Sequence, residues 1–105
     1  MQADVLSEIV KTYRKHGWVL RRILMTDTAR DGLKSFGVPV MDSKIDAAWF
    51  ARPRCDQAVA WELRYIGGTP LAFLEFLNEM SPGFETSLRA VEQRLTETVA
   101  AKQSA

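Results

Sequence analysis

Apolar and polar positions along the chain change period several times, and each change marks an element. Val5, Leu6, Ile9, Val10 and Tyr13 recur at helical spacing, with Asp4, Ser7, Glu8, Lys11, Arg14 and Lys15 on the other side. This predicts an amphipathic helix over residues 3–15, ended by His16-Gly17. Residues 18–26 are rich in branched and aromatic side chains and too short for a second helix after a glycine stop. They read as a strand, with Arg21 and Arg22 on opposite faces. A structureless stretch from 27 to 44 would be unusually long in a small domain. A short helix fits there, capped by Asp27 or Thr28, carrying Ala29, Leu33 and Phe36 and stopped by Gly37, with Val38-Pro39-Val40 extended after it.

Residues 45–51 and 58–66 read as two strands of a hairpin across the turn-like segment 52–57. Gly67-Gly68 closes the second strand, and Thr69-Pro70 has the form of a cap followed by proline at a first helical position. Residues 71–80 contain no β-branched side chain, and their polar positions Glu75, Asn78 and Glu79 lie three and four apart. That spacing predicts a buried helix, with a strand after the Gly-Gly turn as the competing reading. Ser81-Pro82 repeats the cap signal and opens a last helix to about residue 101, with Phe84, Leu88, Val91, Leu95 and Val99 as its apolar stripe. The expected fold class is α+β: an N-terminal helix, a three-stranded antiparallel sheet with a short helical insertion after its first strand, and two C-terminal helices packed on the sheet. It forms one domain over residues 1–101, with 102–105 as a frayed tail.

Composition narrows the class of protein. With 105 residues, 47% hydrophobic and 26% charged, one globular domain is expected. Lys+Arg 14 against Asp+Glu 13 leaves +1, without the basic excess of a nucleic-acid or acidic-membrane binder. The charge is uneven, +4 over residues 1–54 and −3 over 55–105, a polarity that suits self-association. No apolar run reaches the roughly 18 residues needed to cross a bilayer. Asp4 and Glu8 stand where a secretory signal carries basic and then apolar residues, and a single Cys excludes an internal disulfide. The expectation is a cytoplasmic protein with no membrane partner.

If the hairpin is centred on Cys55, Trp49 faces Trp61, Ala47 faces Leu63 and Ile45 faces Tyr65 on one side of the sheet. The other side then collects Asp46 opposite Arg64, Ala48 opposite Glu62 and Phe50 opposite Ala60, so three charged groups share a face. Glu8 on the first helix, His16-Gly17-Trp18 entering a strand with Arg21-Arg22, Ile45-Asp46-Ala47-Ala48 and Trp61-Glu62-Leu63-Arg64 together resemble the PD-(D/E)xK nuclease core. The similarity is to its Holliday-junction-resolvase-like members and covers residues 8–64. It implies that Asp46 and Glu62 bind a divalent metal, Mg²⁺ or Mn²⁺, that Glu8 completes the site, and that nucleic acid is the substrate. Arg64 stands where the family has the lysine that helps position water. The guanidinium stays charged and takes no proton from water, which is a departure from the motif. A cross-strand ion pair between Asp46 and Arg64 accounts for the same residues without catalysis.

Other motifs carry less chemistry. Cys55 between Arg54 and Asp56 has a setting that lowers a thiol pKa, but His16 is the single histidine and no third group orients the pair. Gly67-Gly68-Thr69-Pro70 lacks the lysine of a phosphate-binding loop, and a turn requiring positive φ explains its glycines. Trp18, Trp49 and Trp61, one per expected strand, are expected in the core rather than stacked on nucleobases. The leading expectation is a non-catalytic, self-associating interaction or structural module, a homodimer without a cofactor, because a sheet face left uncovered is most simply buried against a second copy. The alternative is a divergent metal-dependent nuclease.

Overall fold

The computed structural model describes residues 3–26, 31–53 and 59–104. The first element is α1, Ala3–Lys15, with Asp4 in its first turn and Arg14 and Lys15 in its last, as the helix dipole favours. Gly17 takes φ 84° and lets the chain reverse, and the Trp18 N–H donates to the Tyr13 carbonyl at 3.0 Å. Strand β1 is Val19–Met25, followed by a 3₁₀ helix, Asp31–Phe36, which stops at Gly37 with φ 71°. The strands β2 (Val40–Asp42), β3 (Ala47–Pro53), β4 (Val59–Tyr65) and β5 (Ala72–Leu77) follow, and α2 (Phe84–Ser104) closes the chain. The expected caps Asp27 and Thr28, together with Ala29, Cys55 and most of the hairpin turn, lie outside the described residues.

The sheet has five strands in the order β2-β1-β3-β4-β5, with β2 parallel to β1 and every other pair antiparallel. This corrects the expected three-stranded antiparallel sheet with two C-terminal helices, because the sheet is mixed and one helix, α2, follows it. Strand β2 arises where the extended Val38-Pro39-Val40 segment runs beside β1. There the Ile23 N–H donates to the Pro39 carbonyl at 2.9 Å and the Ser43 N–H to the Met25 carbonyl at 3.0 Å. Strand β5 replaces the helix expected over residues 71–80. Its helical polar spacing is overridden by the unpaired side of β4, which β5 joins from Val59↔Leu77 to Arg64↔Ala72. Thr69-Pro70 is therefore part of a turn between strands and caps no helix.

The hairpin register also differs from the expected one. Trp49 lies opposite Leu63, Ala48 opposite Arg64 and Phe50 opposite Glu62. This is a slip of two residues, and a slip of two leaves every side chain on its expected face while changing its partner. Between β1 and β3 the register shifts at Leu20/Arg22, a bulge that brings Arg21 and Arg22 toward one side rather than opposite sides.

Among the described residues, one α-helix packs on each face of the sheet. On the first, Leu6 and Val10 of α1 pack with Leu20, Ile23, Met25, Ala48 and Phe50, joined by Leu33 of the 3₁₀ helix. On the second, the predicted stripe of α2 is realised, with Leu88, Val91, Leu95 and Val99 packed on Trp49, Trp61, Leu63 and Tyr65. Leu88 and Leu95 are fully buried, each contributing about 1.5–3 kcal/mol of transfer free energy. Among the described residues no helix is long and apolar enough to cross a membrane.

Candidate functional site

Helix α1 covers β1 and the near half of β3, and the outer half of that face stays open. Three residues form one row running from the covered half to the open half, the buried Phe50 on β3 opposite Glu62 on β4, and Glu62 opposite Leu74 on β5. Tyr13, in the last turn of α1, stacks on Phe50 with ring centroids 4.0 Å apart and planes 20° apart, and Trp18 meets it edge-on at 6.2 Å. The packing directs the Tyr13 hydroxyl to Glu62, with Arg64 alongside. Burial first, then the hydrogen bond to the Glu62 carboxylate and its charge, hold the Tyr13 phenol well above its ordinary value, with Arg64 opposing. Tyr13 is thus a hydrogen-bond donor across the physiological range and not a base. The Arg64 Nη1 also donates to the Tyr65 carbonyl.

The open half of the face ends in apolar side chains. Leu74 is 48% exposed and Phe76 54%, both on the edge strand β5. The Tyr13, Glu62 and Arg64 side chains therefore cluster beside an exposed apolar edge.

The residues implied by the nuclease resemblance are distributed as follows. Glu62 and Arg64 share the α1 face. Asp46 lies just before β3, where its Oδ1 accepts from the Thr26 N–H at 2.8 Å and the Thr26 hydroxyl at 3.2 Å. It borders a cleft of about 410 Å³ whose walls include Lys44, Tyr65 and Thr96, the last on α2. Across from it is Ile66, whose N–H donates to the Asp46 carbonyl at 2.8 Å, and Arg64 has Ala48 as its cross-strand neighbour instead. Glu8, its side chain 77% exposed, sits 3.5 Å from Lys11 on the solvent side of α1. Among the described residues no three His, Cys, Asp or Glu side chains come together as a metal-binding group.

The second face holds a polar network under α2 that sequence reasoning missed. Arg22 makes a two-pronged contact with Glu85 at 2.9 and 2.5 Å, and the buried Trp49 donates its Nε1–H to Glu92 at 2.8 Å. The hydrogen bond from Arg22 holds the Glu85 carboxyl below its ordinary value. Arg21 lies over the Trp61 ring at 5.0 Å and reaches Glu79 at 3.4 Å. These pairs are separated by more than 40 positions in sequence, and their only sequence signal is a pair of arginines inside an otherwise apolar strand. No family model, curated protein or solved structure matches the chain.

Proposed function

We propose that this chain is a non-catalytic interaction module of the cytoplasm that works by self-association. The observation that carries the reading is β5, an edge strand with Leu74 and Phe76 exposed at 48% and 54%. An exposed edge strand is a template for pairing with a strand of another chain, and short length, charge or proline blunts it. Strand β5 has six residues with one charge and no proline, whereas the opposite edge, β2, has three residues. Further support comes from the arginines of β1: Arg21 and Arg22 are engaged by Glu79 and Glu85, which leaves them poorly placed to meet phosphates. The Tyr13–Glu62–Arg64 group contains a single carboxylate, held by a phenol that stays protonated.

Sedimentation equilibrium over a hundredfold range of concentration tests this. The expected mass is twice 11.9 kDa throughout. A constant 11.9 kDa overturns the proposal. So does Mg²⁺- or Mn²⁺-dependent nicking of branched DNA that Asp46→Ala and Glu62→Ala abolish, since that result assigns the nuclease chemistry instead.

A further inference from the structure

The phase of the β4–β5 ladder determines what β5 offers to a partner. The Tyr65 N–H donates to the Leu71 carbonyl at 2.8 Å, which makes Tyr65/Leu71 a hydrogen-bonded pair. Alternation along the register then turns Phe73 and Glu75 toward β4, and turns the N–H and C=O of Ala72 and Leu74 away from it. The side chains alternate in step. Phe73 and Glu75 lie on the α2 side, where Arg94 of α2 sits over the Phe73 ring at 5.0 Å and reaches Glu75 at 3.4 Å. Leu74 lies on the open α1 side.

We infer that β5 pairs antiparallel with β5 of a second copy, about a two-fold axis at Leu74, joining the two sheets into one. This rests on the self-association proposed above and names its interface. In this register Leu74 meets its own copy in a hydrogen-bonded pair, and Ala72 lies opposite Phe76 of the partner subunit. Phe73 lies opposite Glu75 of the partner subunit. Charge complementarity follows from that last pair: Arg94, stacked on Phe73, comes to lie between its own Glu75 and the partner's Glu75, and the two-fold axis repeats the arrangement. The neighbouring registers are worse. Centring on Glu75 sets two carboxylates directly opposite each other, which is repulsive. Centring on Phe73 puts Phe76 against Pro70 of the partner subunit, and proline has no N–H to donate. A groove of about 570 Å³ lined by Phe73, Arg94, Thr98 and Ala101 runs along this edge, giving the second copy room on the α2 side.

The test uses charge reversal in two separate preparations of the full chain. Glu75→Arg alone and Arg94→Glu alone each place like charges across the axis, and each is expected to raise the dimer dissociation constant at least tenfold. When the two variants are mixed, every contact across the axis becomes complementary while the contact inside each chain remains like-charged. Native mass spectrometry is expected to find heterodimer in at least tenfold excess over either homodimer. A role of these residues within one chain does not move that ratio. In a Cys55→Ser background, Leu74→Cys is expected to oxidise to a disulfide-linked dimer. The control Val19→Cys, on a side chain 52% exposed in β1, is expected to form no such link. A wild-type dimer whose charge variants mix in the statistical 1:2:1 ratio, and whose Leu74→Cys variant stays unlinked, overturns this interface but leaves self-association standing. A wild-type monomer overturns both.

Discussion

Trp49 and Trp61 are both buried beneath α2, at 0% and 1% exposure, and they touch edge-to-face at 6.0 Å, yet their indole N–H groups have opposite fates. The Nε1–H of Trp49 donates to Glu92 at 2.8 Å, whereas the Nε1–H of Trp61 is buried without an acceptor. Replacing either by Phe removes the same atoms and leaves a similar void, so the volume loss nearly cancels in a comparison. Trp49→Phe also deletes a hydrogen bond to a charged acceptor, about 1.5–3 kcal/mol. Trp61→Phe instead removes an unsatisfied buried donor, whose desolvation costs about 1–3 kcal/mol. Trp49→Phe is therefore expected to destabilise the fold by about 3 kcal/mol more than Trp61→Phe. Urea unfolding followed by circular dichroism, with both variants at one protein concentration and with equal m-values, measures the difference. Equal costs, or a larger cost at Trp61, would refute the reasoning that the Trp49–Glu92 bond stabilises the fold while the buried Trp61 N–H, left without an acceptor, costs stability.

Further outcomes follow from the same geometry. Tyr13 holds its proton more tightly in the folded chain than at its ordinary pKa of 10.0, so its contribution is complete below pH 10 and is lost as pH rises toward the folded value. Stability measured from pH 8 to 11 is expected to fall at the alkaline end, less steeply in Tyr13→Phe. Glu85 has the opposite sign: its carboxyl is held below the ordinary 4.5, so its contribution is present above that pH and is lost as pH falls through the lowered value. An acid titration of Glu85→Gln is expected to show a shallower loss than the parent. Gly67→Ala places a Cβ 2.8 Å from the Tyr65 hydroxyl, on a ring 9% exposed, and is expected to cost about 1–3 kcal/mol in a thermal melt.

The parts of the fold legible from sequence are those where one apolar face repeats over several turns or alternations. Helix α1, strand β1 and the buried stripe of α2 are visible for that reason, and so is the placing of Trp49 and Trp61 on one face. Strand β5 is not, because a segment without branched residues becomes a strand through the vacant side of β4, a tertiary cause that local spacing does not carry. The two-residue slip of the hairpin escapes because it preserves alternation, and it removes Asp46 from the position across from Arg64. Glu62 and Arg64 share a face as their spacing requires. Tyr13, the third member of that group, reads only as part of the apolar stripe of α1, since its neighbours Phe50, Glu62 and Arg64 lie on β3 and β4 and meet it only when the helix docks on the sheet.

If β5 is an interface between two copies, the amide of Leu74 reports on it most directly. That N–H points away from β4, so in an isolated chain it meets water and exchanges with solvent deuterium as a surface amide does. Residue-resolved hydrogen exchange by NMR is expected to show Leu74 protected by at least a hundredfold, close to the neighbouring Phe73 and Glu75 amides that bond to β4. Exchange of Leu74 at an unprotected rate, beside protected Phe73 and Glu75, would contradict the account.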